Sequence, residues 1–438
     1  MPRYSVFNIT RYFVKLYCFA KHTQDGLNEC PLLFFFVKIK TLYLGGNQMS
    51  FDFETLIPRE GTASVKWDGR EGYFGSADPL PMWVADMDFA VPEAVSRAVM
   101  ARAAHPVFGY TQATDSLYES LMDWMRKRHG FEVERDWIIL SPGVVPSLHA
   151  AVIAFAQPGA GVIVQPPVYF PFFSAVTETD RKLILNPLRL ENGRYRMDLE
   201  HLEQCAAQGA HLLLLCTPHN PVGRVWSKQE LHAVLDIARR HDLVILSDEI
   251  HHDLLFPGAS HTPLQVLAGE GGEIVTAVAP SKTFNIPGLG LSALIVPNPK
   301  HRMALRKAFE LLHLGASNPF SLVAFEAAYR EGEEWLEALL VYLTQTRDFV
   351  AQYLASQLPQ IKLIQPEGTY LLWLDCRELG MNDIELKKFF IHQAKVGMNP
   401  GPVFGDGGSG FMRMNIGTSR LVVAEALERI RGALEGTK

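Results

Sequence analysis

Six continuous apolar runs punctuate the middle of the chain, at 161–165, 183–188, 212–216, 243–247, 274–279 and 291–296. Most do not alternate apolar with polar residues, so as strands they must be buried on both faces. Helical periodicity separates several of them, notably at 228–240. This alternation predicts an α/β protein, a three-layer sandwich around a mostly parallel central sheet.

Helices are expected before the first run, at 92–104, 115–129 and 144–156. Asp115 reads as the cap of the second and Gly130 as its stop. From residue 300 the text turns helical, at 302–314, at 320–329 and in one long stretch at 333–357 suited to joining two domains. Residues 358–438 mix short strands and helices, at 361–364, 369–374, 384–393, 411–416 and 421–430, as a smaller α+β domain would. A chain of 438 residues, 48% hydrophobic, can bury two cores. The expected division is an extension at 1–48, a segment at 49–95 joining the small domain, a large domain at 96–335 and a small domain at 336–438.

A net charge of −6 gives no electrostatic reason to expect nucleic acid. No apolar run approaches the roughly 20 residues of a membrane span. The five cysteines, Cys18, Cys30, Cys205, Cys216 and Cys376, form no CxxC and fit a reducing, cytoplasmic compartment. Cys205 and Cys216 read as small buried hydrophobes. His219 and the His251-His252-Asp253 run match no metal spacing, so no metal is expected. The glycine-rich GDGGSG at 405–410 lacks the strand-to-helix setting of a dinucleotide site.

Chemistry concentrates in three segments at the ends of predicted strands, where open α/β sheets hold ligands. They are TPHNPVG at 217–223, SDEIH at 247–251 and APSKTFNIPGLG at 279–290. Asn220 and Asp248 are 28 residues apart, and Asp248 and Lys282 are 34 apart, about one strand–helix–strand unit each. A neutral amine at Lys282 can attack an aldehyde and then carry a proton. Asp248 closes an apolar run, where a carboxylate is costly without a partner. Arg413, in FMRMNIG, wants an anion, and its planar fork suits a carboxylate. Gly143, Val144 and Val145, in SPGVVPSLHA, open a helix whose N–H groups favour an anion.

Taken in order, the three segments resemble the fold-type I pyridoxal-phosphate (PLP) enzymes of the aminotransferase class I/II superfamily, from about residue 52 to the end. The resemblance implies that Lys282 holds PLP and that Asp248 faces its pyridine nitrogen. It further implies that Asn220 bonds the phenolic oxygen, that Tyr169 in QPPVYF stacks on the ring, and that Ser281 helps the 143–145 backbone hold the phosphate. Arg413 would bind the α-carboxylate of an amino-acid substrate. Such enzymes are generally homodimers, and Tyr110 in VFGYT would reach the partner subunit's phosphate. The pattern departs at Gly290, where many members carry an arginine, so the phosphate must lean on the remaining groups.

PMWVADMDF at 81–89 resembles a hallmark of bacterial C–S lyases of the cystathionine β-lyase kind, and implies that Trp83 and Asp86 line the mouth of the substrate pocket. His251, counted among the cofactor contacts, stands where typical aminotransferases have a tyrosine. MNPGPVFG at 398–405 also fits the lyase branch. The implied reaction is β-elimination: Lys282 takes the α-proton and a thiolate leaves Cβ, giving pyruvate and ammonia, with homocysteine as the thiol from L-cystathionine. Tyr110 is a candidate for assisting that departure. Two other readings stay open, a true aminotransferase and a regulatory protein that binds a transcription factor through its surface.

Residues 1–48 differ in composition from everything that follows, with ten aromatics, six Lys or Arg and only two acids. The other 390 residues carry a net −10. Met49 begins text that reads as a natural start, and the extension is expected to be non-native or disordered. The rival is a membrane-surface or targeting arm of interleaved basic and aromatic residues. Mass spectrometry of the native amino terminus is expected to find no peptide upstream of Met49, and one such peptide overturns the early-start reading.

Overall fold

The computed structural model describes residues 51–269, 272–316 and 318–436. The extension expected at 1–48 lies outside them. Seven strands form the large sheet: β1 (Ile138–Ser141), β2 (Gly161–Val164), β3 (Lys182–Leu185), β4 (Ala210–Cys216), β5 (Val244–Asp248), β6 (Ile274–Val278) and β7 (Ser292–Ile295), in the order β1-β7-β6-β5-β4-β2-β3. The pairs among β2 to β6 are parallel, and β7 runs antiparallel to both β6 and β1. The six apolar runs are therefore strands, with ends that differ by a few residues at most. β1 is a seventh, unforeseen strand, because IILS is short and reads as an approach to the next helix.

Both faces of the sheet are covered, as continuous apolar strands require. Ile163, Leu213, Leu215 and Ile245 enter one core. Their neighbours Val162, Val164, Leu212, Leu214 and Leu246 enter another on the opposite face. Helix α1 (Asp115–His129) starts from Thr114, whose hydroxyl accepts Leu117 N at 3.3 Å. The cap is thus Thr114 rather than Asp115, which instead places its charge in the first turn, where the helix dipole favours it. Gly130 stops α1 with φ 61°, a left-handed conformation that suits glycine. Helix α2 (Val144–Phe155) follows β1, and α3 (Lys228–Arg240) opens with a capping box between Ser227 and Glu230. The helix expected at 302–314 spans Pro299–Leu311, because Asn298 caps it and Pro299 takes its first position. α4 (Glu333–Gln357) matches its expected bounds.

A second sheet pairs β8 (Lys362–Ile364), β9 (Leu371–Asp375), β10 (Asn399–Pro400) and β11 (Phe411–Asn415), all antiparallel, in the order β8-β9-β11-β10. Trp373 of β9 stacks on Phe411 of β11, and both join the core that holds Leu213 and Ile245 of the large sheet. The helix expected at 384–393 runs as Asp383–Lys388 and then widens into a π turn at Phe389–Gln393. Leu80–Pro81 pairs with Val396–Gly397, and Asn415 N bonds Met82 O at 2.9 Å, so the PMWVADMDF segment is tied to the second sheet. Cys205 and Cys216 are buried thiols. Among the described residues no helix is long and apolar enough to cross a membrane.

Two glycines predict opposite effects. A Cβ at Gly401 would lie 1.8 Å from Gly408 O, a backbone atom with no room to yield. Gly401→Ala should lower stability in urea by about 1–3 kcal/mol. Gly432 lies within the Arg420–Gly436 helix with nothing within 4 Å of an added Cβ, so Gly432→Ala should raise stability by up to about 1 kcal/mol. Equal midpoints for the two variants contradict this packing.

Candidate active site

The three chemistry-bearing segments leave neighbouring strands. β4, β5 and β6 are parallel and adjacent, with Cys216 opposite Asp248 and Asp248 opposite Ala277. The carboxyl ends of these strands, which lie about 4.8 Å apart, and the loops that leave them therefore carry Asn220, Asp248 and Lys282 on one edge of the sheet.

Lys282 sits on the short Pro280–Thr283 turn after β6. Its amine donates to Ala85 O at 2.7 Å, and the Tyr370 hydroxyl donates to the same oxygen at 2.9 Å. Burial pushes the amine down to about 8; Asp86 and Asp248 oppose that shift and Arg413 adds to it. Asp248 is 4% exposed and forms no ion pair among the described residues. Its Oδ1 accepts only Ile250 N, at 3.2 Å, and 250–253 form turns, so it caps no helix. Burial raises its carboxyl to about 7.

Arg413 is 3% exposed on β11 and faces no carboxylate at ion-pair distance among the described residues. Its Nη1 donates to Asn220 Oδ1 at 3.0 Å, and its Nη2 to Trp83 O at 3.0 Å and Asn399 Oδ1 at 2.7 Å. Its Nε is buried without a partner. Burial lowers its basicity to about 10, against the opposing effects of Tyr169, Tyr370 and Tyr73. Taking a guanidinium out of water without a countercharge costs on the order of several kcal/mol.

The other expected residues divide. Tyr169 is partly buried near Arg413 and Asp248, and its backbone N donates to Asn220 O at 3.1 Å. His251 is 3% exposed, with Nδ1 unpartnered and its ring edge-on to Tyr370. Burial, with Lys282 and Arg413, drives it down to about 3, so it is neutral. Gly143 leads into α2 with no side-chain cap. The hydroxyls of Ser141 and Ser147 donate to Gly143 O instead, which leaves the Val144 and Val145 N–H groups open. The Ser281 hydroxyl is half-buried with no hydrogen bond among the described residues, and Gly290 sits at φ 39° against Pro142 O.

Trp83 packs its ring on Tyr73, at 4.3 Å between centroids, and donates from Nε1 to Lys66 O. The Asp86 carboxylate is gripped by Arg59 at 2.7 Å, while Lys66, fully buried, pairs with Asp88 at 2.7 Å. Tyr110 is fully exposed and makes no hydrogen bond within the described chain.

Sequence reasoning missed Tyr370, Asn399, Asn415 and Lys66. Asn415 Nδ2 donates to Asp86 O at 2.7 Å and also bonds Val84 O, so it holds the segment Lys282 meets. Its place two residues after Arg413 was the available signal. Nothing local marks Tyr370 or Lys66, which acquire their meaning only when 80–89 folds over the sheet ends.

The model of the family described as aminotransferase class I and II matches residues 79–430. Cystathionine beta-lyase PatB of Bacillus subtilis is 42% identical over 385 residues, spanning 87% of this chain and 100% of that protein. A PLP-bound putative aminotransferase from Clostridium difficile superposes with TM-score 0.86 at 40% identity, over 88% of this chain and all of its own. Cystalysin from Treponema denticola, whose structure contains pyridoxal 5'-phosphate, gives TM-score 0.86 at 37% identity, over 89% of this chain and 100% of that one. The chain belongs to the aminotransferase class I and II family and stands within it close to the cystathionine β-lyase and C–S lyase branch.

Proposed function

We propose that this protein is a PLP-dependent C–S lyase that cleaves L-cystathionine and related cysteine S-conjugates to a thiol, pyruvate and ammonia. The observation that carries the reading is the trio of buried Asp248, half-buried Lys282 and buried Arg413, none of which forms an ion pair among the described residues. The residues fit the cofactor. A depressed amine, a carboxylate lacking a cation, an uncapped helix start with the free Ser281 hydroxyl, and a half-buried tyrosine match its aldehyde, ring nitrogen, phosphate and ring face in chemical type. When bound, PLP supplies an aldehyde for the amine and an electron-withdrawing ring that stabilises negative charge at Cα.

Lys282 would anchor the cofactor, and its Nζ would take the Cα proton of the substrate. Its lowered basicity keeps a useful fraction of neutral amine near neutral pH. Asp248 stays ionised when a cation stands opposite, because that charge reverses the burial-driven rise. Asn220 offers its amide N–H groups while its Oδ1 steadies Arg413. The Val144 and Val145 N–H groups and Ser281 take the phosphate. Arg413 takes the α-carboxylate. Neutral His251 and the Trp83–Tyr73 stack would line the substrate side, and Asp86, held by Arg59, would fix its rim.

The working form is a homodimer in this reading. Val107, Phe108 and Tyr110 are exposed together, an apolar patch that a second copy would cover. Tyr110 would then enter the partner subunit's site to meet phosphate and leaving group. The reducing cytoplasm suits the thiols of Cys205, Cys216 and Cys376. The large and small domains divide near 95 and 335.

Arg413→Lys should retain PLP but lose kcat/KM on substrates with an α-carboxylate. The loss of a desolvated charged contact is about 2–5 kcal/mol, or about thirtyfold and upward. An unchanged kcat/KM refutes the assignment. The reaction class is tested by supplying L-cystathionine without any keto acid. Sustained, equimolar release of pyruvate and thiol is expected. Turnover that stops after one equivalent per site and resumes on adding a keto acid makes the protein an aminotransferase.

A further inference from the structure

Behind Lys282 lies a polar cluster that the proposed reaction does not use. Asp253, 1% exposed, follows β5 in a turn. Its Oδ2 accepts the Thr283 hydroxyl at 2.8 Å. Its Oδ1 lies 2.9 Å from His129 Nε2, 3.1 Å from Arg128 Nε and 3.2 Å from Trp124 Nε1. Those three groups come from the last turns of α1, where Trp124 and Arg128 are one turn apart on the same face and His129 is next in the chain. His252 Nε2 stands 3.2 Å from Asp253 Oδ2, out of hydrogen-bond alignment, and its ring packs on His129 at 4.2 Å.

Thr283 is the chain neighbour of Lys282 and closes the four-residue turn that carries it. So short a turn has almost no helical stability of its own. Phe284, fully buried, meets Trp124 edge-on at 5.5 Å, so α1 touches this turn through packing as well as through Asp253. The contact is mechanical rather than electrostatic. The charges that act on the Lys282 amine are Asp86, Arg413 and Asp248, whereas Asp253 is compensated where it stands by Arg128.

We propose that Asp253 and Thr283 are positioning residues, whose hydroxyl–carboxylate bond fixes the Lys282 turn to α1 and so sets where the Lys282 amine reaches. The inference rests on the reading of Lys282 as the cofactor lysine. A long amine that must first meet an aldehyde and then a Cα proton gains from a fixed origin, since a misplacement of about 1 Å can cost about a hundredfold in rate.

Thr283→Val keeps the shape and removes one donor, and Asp253 retains Arg128, His129 and Trp124. In the holoenzyme, kcat on L-cystathionine should fall about tenfold or more with KM unchanged. In protein stripped of cofactor, the rate at which added PLP develops the visible, borohydride-sensitive band should fall by a similar factor. Thr283→Ser should restore both. Thr283→Ala replaces the valine variant if that one does not fold, with the same expected outcomes. Wild-type kcat and wild-type reconstitution in the hydroxyl-free variant overturn the proposal. So does a serine variant as slow as valine, or a loss confined to melting temperature. If the wild type forms no such band on Lys282, it is the proposed function that fails instead.

Discussion

Asp248, Lys282 and Arg413 are three charged side chains held largely out of water and steadied by dipoles rather than by opposite charges. Ala85 O takes the Lys282 amine, and Asn220, Asn399 and Trp83 O take the Arg413 guanidinium. Elsewhere the fold pairs most of its buried charges, Lys66 with Asp88, Arg224 with Glu230 and Glu367, and Asp253 with Arg128, while Arg420 is held by neutral Gln345 and Thr346. Three such groups gathered in one place must be sustained by the surrounding structure, because leaving ions uncompensated is costly. Fixed dipoles aimed at an incoming charged ligand need little rearrangement when it arrives, which is the electrostatic advantage of a preformed site.

That arrangement depends on the PMWVADMDF segment staying in place. Asn285, three residues beyond Lys282, donates to Met87 O and Phe89 O and accepts Met87 N. Asn415 holds Asp86 O from the other side, and Arg59 bridges Asp86 and Asp88. The segment is thus bonded to the Lys282 loop, to the second sheet and to an internal ion network at once. Ala85 O, its contribution to the site, has no sequence signature, because any residue could supply a carbonyl.

Fold class and strand locations were legible because a sheet buried on both faces writes continuous apolar runs, and Lys228–Arg240 announces itself through its periodicity and its Ser227 cap. β1 was missed because four residues carry too little pattern, and its antiparallel pairing with β7 is a tertiary fact. Asn220, Asp248 and Lys282 were singled out through local motifs at strand ends and Arg413 through a charge inside apolar text, and the fold brings Arg413 against Asn220. The surroundings of Asp86 were only partly legible. Its polar character in apolar text was visible, but its grip by Arg59, 27 residues earlier, was not. Tyr370, Asn399 and Lys66 were illegible for the same reason. His129, His252 and Asp253 likewise meet across a gap of more than a hundred residues that no spacing rule covers.

The central claim is that Lys282 carries the cofactor. Borohydride reduction of the PLP-loaded protein, followed by proteolysis and mass mapping, tests it directly. The expected result is a pyridoxyl group on the peptide containing Lys282, and no such peptide in Lys282→Ala. A pyridoxyl group on a different lysine, or on Lys282 and other lysines alike, contradicts the assignment.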